Sequence, residues 1–156
     1  HMQLVNYLQY FDWQWARSVS SASLLFAGAR LPFTLLFAWL GGWGAAEHYR
    51  RDRASFWYFA ALFATLSLAL TFYLNFKYGY SIPAPTRSLD LHEVRERDYF
   101  FIVSFSLWGL WSGLGIVALW QSVGERLGSM KRAAPALALA LIPFVFNASG
   151  AKPNAD

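Results

Sequence analysis

The sequence predicts an all-α, polytopic membrane protein with about four transmembrane helices and an N-terminal interfacial helix, and three observations carry that expectation. AVILMFWYC account for 56% of the 156 residues and charged side chains for only 14%, where soluble domains hold about 25% charged. Two stretches, 54–75 and 99–121, contain no Asp, Glu, Lys or Arg, and a bilayer core needs about 20 apolar residues to cross. Aromatics reach 19%, including eight Trp and eight Tyr, the residues that gather at both membrane–water interfaces. The formal charge of +4 therefore points to loops facing an anionic leaflet and not to nucleic acid. Cysteine is absent, which excludes disulfides and thiolate metal sites.

The elements follow in order. The N-terminus lacks a basic region ahead of an apolar core, so no cleavable signal is read. Within 1–17, Leu4, Tyr7, Leu8, Phe11 and Trp15 recur at helical spacing opposite Gln9, Asp12 and Arg17. This pattern fits an interfacial helix, or an amphipathic helix packed on neighbouring protein. Pro32 suits the first turn of a helix, and 31–46 is the first predicted span. Gly41, Gly42 and Gly44 near its far end permit close helix approach. A short charged loop, Glu47 to Arg53, separates it from the second span, 54–75, which has aromatics at both ends. The stretch 76–98, broken by Gly79, Pro83 and Pro85, reads as a loop. The third span, 99–121, carries Gly109 and Gly113 as a G-x-x-x-G pair, a helix-packing signal. After a second short basic loop (125–132) comes 133–146, apolar but short for a span and interrupted by Pro135 and Pro143. Its Leu-Ala alternation mimics a strand, yet a lone strand cannot satisfy its backbone in lipid, so a helix is expected.

Arg50, Arg51, Arg53, Arg126, Lys131 and Arg132 are concentrated in the two short loops. Such density places those loops in the cytoplasm and the 76–98 loop outside.

The densest charge lies in HEVRERDYFF (92–101), where seven ionisable side chains run into the third span. If a helix starts near Leu91, Glu93 and Arg97 pair at i+4 and Arg95 and Asp98 at i+3, which gives a self-neutralising helix start. The same arginines also suit a lipid phosphate, because the guanidinium fork matches phosphate and stays charged. His92, Glu93, Glu96 and Asp98 are candidate acid, base or acceptor groups. His92 and Glu96 have metal-compatible spacing but no further histidines nearby, so no metal and no cofactor is expected.

The run Tyr73 to Asn75, the proline-containing loop, RERDY (95–99), and Phe105, Gly109, Gly113, Gly115, Leu119 and Trp120 resemble a large bacterial membrane family long catalogued as a domain of unknown function. That family is related to eukaryotic protein O-mannosyltransferase and is placed among the GT-C glycosyltransferases. YFDWQW (10–15), HYRRDR (48–53) and IPFVFN (142–147) fall in the family's order, and RERDY is the most specific match. The resemblance implies transfer of a sugar, mannose among the candidates, from a polyprenyl-phosphate donor to a protein or other acceptor outside the bacterial inner membrane. It also implies that this chain is an internal, multi-pass piece of a longer enzyme. The remainder of the parent chain and membrane lipids are then its partners, and the catalytic acid lies in a missing N-terminal part. Arg95 and Arg97 are the expected phosphate ligands; Glu96, Asp98 and Tyr99 would orient them or meet the sugar. The competing expectation is a small membrane scaffold, or a partner-binding subunit of a larger complex.

Overall fold

The computed structural model describes residues 2–19, 28–73 and 98–148, and all regular structure among them is helical. The helices are α1 (Met2–Ala16), α2 (Leu31–Arg51), α3 (Arg53–Tyr73) and α4 (Ile102–Leu127). A 3-10 turn, Asp98–Phe101, leads into α4. The last run consists of α5 (Met130–Ala133), a 3-10 segment (Ala134–Leu141) and α6 (Ile142–Ala148).

The charged loops expected after the first and third spans are largely absorbed into helix ends. Helix α2 continues to Arg51 and α4 to Leu127. Charge does not stop a helix, and Arg50, Arg51 and Arg126 sit in the last turns, where cations complement the helix dipole. Asp52 alone makes the α2–α3 turn. Its backbone is extended and its Oδ1 accepts the Ser55 amide at 3.1 Å, which caps α3. Gly128 ends α4 at φ 62°, with the Ser129 amide bonded back to the Gly124 carbonyl at 2.9 Å. That left-handed cap is where glycine avoids the Cβ penalty.

Contacts fix the helix directions. Near the start of α2 the Phe37 carbonyl accepts from Trp108 Nε1 (3.1 Å) and Ser112 Oγ (3.3 Å), and at its end Arg51 donates to Gln121 Oε1 at 3.2 Å. Helices α2 and α4 therefore run in the same direction. Helix α3 returns antiparallel to both, since Phe56 meets Trp111 and Phe63 meets Trp108. The last run also returns: Trp120 Nε1 donates to the Met130 carbonyl at one end, and Asn147 Nδ2 to the Gln14 carbonyl at the other. Both short turns thus share one end of the bundle.

The α2–α4 seam is close because three glycines make it so. A Cβ on Gly44 would collide with the Trp111 carbonyl, one on Gly115 with the Leu40 carbonyl, and one on Gly41 with the Trp108 ring. The expectation for Gly109 and Gly113 was different. Both face open space, as does Gly42, so the G-x-x-x-G pair makes no helix contact here.

Helix α1 is packed into the bundle. Tyr7 lies edge-on to Phe101 at 5.0 Å, Phe11 to Trp108 at 5.8 Å, and Trp15 stacks flat on Phe37 at 4.7 Å. Of the polar set expected opposite the apolar face, Gln9 is 2% and Asp12 0% exposed while Arg17 is exposed, and of the apolar set Leu4 and Leu8 face out. Helix α1 is thus packed on neighbouring protein through residues of both faces.

The final run is continuous but overwound. Pro143 has no amide to offer the Leu139 carbonyl, and the Ile142 amide takes that carbonyl in a tighter i→i+3 bond. Ala133, Ala136, Leu139 and Ile142 turn inward while the residues between them are exposed, apart from partly covered positions flanking the ends. That spacing of three matches a helix with three residues per turn. Two helices, Arg53–Tyr73 and Asp98–Leu127, are long and apolar enough to cross a membrane.

Candidate functional site

The end of the bundle away from the short turns holds the polar chemistry. Arg30 immediately precedes α2, and its carbonyl accepts from the Phe33 and Thr34 amides, which fixes it on the first turn. From there its Nε and a terminal nitrogen reach Asp12 Oδ2 at 2.9 and 2.8 Å, and Thr34 Oγ1 donates to Asp12 Oδ1 at 2.6 Å. The two charged side chains are 1% and 0% exposed. Gln9 and Asn6, one and two turns earlier on α1, are buried and joined by a 3.3 Å hydrogen bond.

A second polar patch lies beside it. Tyr7 Oη and Ser104 Oγ are 3.3 Å apart, and Ser104 also donates to the Phe101 carbonyl. Asn147 closes the far side: its Oδ1 accepts the Arg17 amide at 2.9 Å while its Nδ2 donates to the Gln14 carbonyl at 2.7 Å. The Arg17 guanidinium lies over the Trp13 ring at 4.2 Å, a cation–π contact. Among buried side-chain polar atoms, Trp15 Nε1 has no partner among the described residues.

A carboxylate with three donors and no exposed surface orients its neighbours. Asp12 therefore ties the middle of α1 to the start of α2. The arrangement is costly to break: removing one partner of a buried pair strands the other charge, at about 3–5 kcal/mol. Among the described residues no group of three or more His, Asp or Glu is placed to hold a metal.

Of the residues singled out in the sequence, Asp98 opens the 3-10 turn and is partly exposed, and Tyr99 is exposed with its ring stacked on Phe100 at 4.5 Å. His92, Glu93, Arg95, Glu96 and Arg97, with the rest of the 76–97 loop, lie outside the described residues. Phe101, the last residue of that turn, packs on Tyr7 and Tyr10. The exit of RERDY and the Asp12–Arg30 pair thus share α1 as a common wall.

No protein family, curated protein or solved structure matches the chain. The site is therefore read from its own geometry. Sequence reasoning missed Asp12, Arg30 and Thr34. The available signal was an acid set between Phe11 and Trp13 in YFDWQW, because a charge flanked by large aromatics calls for a buried partner.

Proposed function

We propose that the chain is the membrane-embedded part of a GT-C-type glycosyltransferase, which moves a sugar such as mannose from a polyprenyl-phosphate donor to an extracytoplasmic acceptor. The observation that carries the reading is the position of Asp98. It lies at the end of the bundle opposite the Arg51–Gln121 contact, so RERDY feeds a membrane-length helix at the end away from the dense Lys/Arg turns. Density of Lys/Arg marks the cytoplasmic side, which puts Asp98 at the outer edge, where a polyprenyl phosphate presents its sugar.

Four crossings fit this arrangement: α2, α3, α4 and the α5–α6 run. The last is short as sequence, but a 3-10 rise of about 2.0 Å per residue against about 1.5 Å in an α-helix lengthens its middle by roughly 4 Å. Helix α3 supports a bilayer setting most directly. It exposes Trp57, Tyr58, Leu68, Phe72 and Tyr73, and a soluble surface rarely leaves so large a contiguous apolar face uncovered. Arg95 and Arg97 hold the donor phosphate and stabilise the charge that develops on it as it leaves. Asp98 and Tyr99 stand at the start of the turn that leads into α4, and His92, Glu93 and Glu96 of the same sequence motif are further candidate substrate-binding groups. The Asp12–Arg30 pair acts as a brace for this end. A scaffold that buries the open face of α3 against a partner is the second reading, and that exposed face is what favours it.

The test is sugar transfer from a polyprenyl-phosphate donor by the full-length parent enzyme. Arg97→Lys keeps the charge and removes the bidentate fork; transfer is expected to fall at least tenfold, roughly the worth of one charge-assisted hydrogen bond, with an unchanged melting temperature. The double variant Glu93→Gln/Arg97→Gln removes both partners of any structural pair and is expected to stay inactive. Wild-type transfer by Arg97→Lys, or recovery in the double variant, would leave RERDY as a folded helix start only.

A further inference from the structure

At the opposite end, between α2 and α4, a cavity of about 140 Å³ opens sideways. It is lined by Leu114, Val117 and Ala118 together with Glu47, His48, Arg51 and Gln121. Arg51 is held within this lining, with Nε 3.6 Å from Glu47 Oε2 and a terminal nitrogen 3.2 Å from Gln121 Oε1. Glu47 is shared, since Arg50 also reaches its Oε1 at 2.9 Å. One carboxylate therefore serves two guanidinium groups and leaves a surplus positive charge at the groove. Across 47–53 and 125–132, six Lys/Arg face three Asp/Glu, so this whole end is net basic.

We propose that this groove is a binding site for one anionic phospholipid, with an acyl chain along Leu114 and Val117 and its phosphate on Arg51. This rests on the membrane setting argued above and is independent of the sugar-transfer reading. Charge complementarity selects the occupant. An apolar lining that includes a cation fits a molecule with an apolar tail ending in an anion. A guanidinium with two acceptors already engaged still has donors for phosphate oxygens. Basic pockets between helices on the cytoplasmic side have this character. His48, in the same lining, is fully engaged: Trp111 Nε1 can only donate, so Nδ1 accepts it at 3.1 Å and Nε2–H donates to Ser55 Oγ at 3.0 Å. The imidazole thus takes no part in lipid binding and holds its part of the lining in place.

The experiment begins with flotation of the whole chain with pure phosphatidylcholine vesicles. Failure to float would overturn the membrane setting, and the lipid site with it. The chain is then extracted from vesicles of phosphatidylcholine with a minor fraction of phosphatidylglycerol, and co-purifying lipid is measured by native mass spectrometry. Phosphatidylglycerol is expected to be enriched severalfold over its bulk fraction. Arg51→Gln should weaken that enrichment about tenfold, the worth of one charge-assisted hydrogen bond. Val117→Trp, which fills the groove from an exposed position, should abolish it, with melting in neutral detergent unchanged for both variants. Arg53→Gln is the control, because Arg53 lies over the Tyr49 ring and not at the groove. No enrichment, enrichment that survives Val117→Trp, or an equal loss in Arg53→Gln would overturn the site; the last outcome would mean diffuse attraction to the basic end. Competition by soluble glycerol phosphate would overturn the lipid as occupant, since a headgroup alone would then suffice.

Discussion

Helix α4 has 44% of its most apolar window buried inside the protein, whereas α3, of nearly equal hydropathy, has 6%. Composition does not separate them; small and polar residues do. Helix α4 brings Gly115 against the Leu40 backbone and sends Trp108, Trp111 and Ser112 as donors to α2. Helix α3 directs most of its hydroxyls into its own turns: Thr65, Ser67 and Thr71 each donate to the carbonyl four residues back, around a π turn at Thr65–Ala69, while Ser55 near its start meets His48 of α2. One helix spends its polar groups on neighbours and becomes the core. The other satisfies most of its own within its turns and stays on the outside. In an apolar solvent, hydrophobicity cannot tell inside from outside, and close packing and hydrogen bonds must do so.

The sharpest way to break this contrast is at the seam. Gly115→Ala places a methyl against backbone that cannot yield, and a loss of about 3 kcal/mol or more is expected. On the same helix Gly113 faces open space, so Gly113→Ala should gain up to about 1 kcal/mol from helix propensity. Thermal melting in detergent reads both, and a matching loss in the two would mean that α4 is not seated as described.

A charge on α3 probes what covers its outer face. Ala61 is exposed at mid-helix, and an arginine there should cost about 3 kcal/mol of insertion free energy if lipid surrounds it. Integration of the helix into inner-membrane vesicles measures this. Unimpaired integration by Ala61→Arg would put water, and not lipid, against that face.

The smallest effect compares two tryptophans. Trp111→Phe removes the donor to His48 Nδ1 and leaves a partly buried acceptor unpaired, at about 2 kcal/mol. Trp57 is 62% exposed on α3, and Trp57→Phe should change stability by less than about 0.5 kcal/mol. Equal melting shifts would erase the distinction between the two helices.

Much of the helical plan was legible in the sequence. Uninterrupted apolar stretches at 54–75 and 99–121 correspond to α3 and α4, and the two Lys/Arg-rich segments do share one end. The misreadings have one physical source. Helical periodicity shows which residues share a face, but not whether that face turns in or out. In α1 the set Gln9, Asp12 and Arg17 looks solvated by the soluble-protein rule, yet Gln9 and Asp12 are enclosed, Arg17 is exposed, and Leu4 and Leu8 point away. Gly109 and Gly113 have a packing spacing, while the contact is made by Gly115, which pairs with residues on α2 that no local spacing reveals. Asp12 and Arg30 are eighteen positions apart on different elements, and only the tertiary fold joins them. For RERDY, the structure places Asp98 and Tyr99 alone, so its arginines are still known through the sequence.

The overwound segment Ala134–Leu141 also sets an angle. At three residues per turn each residue advances the helix by about 120°, against about 100° in an α-helix, so eight residues accumulate roughly 160° of extra rotation. Rewinding them as α-helix would swing α6 to nearly the opposite side and draw it in by roughly 4 Å. Asn147, bonded at once to the Gln14 carbonyl and the Arg17 amide, therefore holds a torsion as well as a position: it is the clamp at the end of a twisted rod, and the polar end of the bundle is where that twist is held.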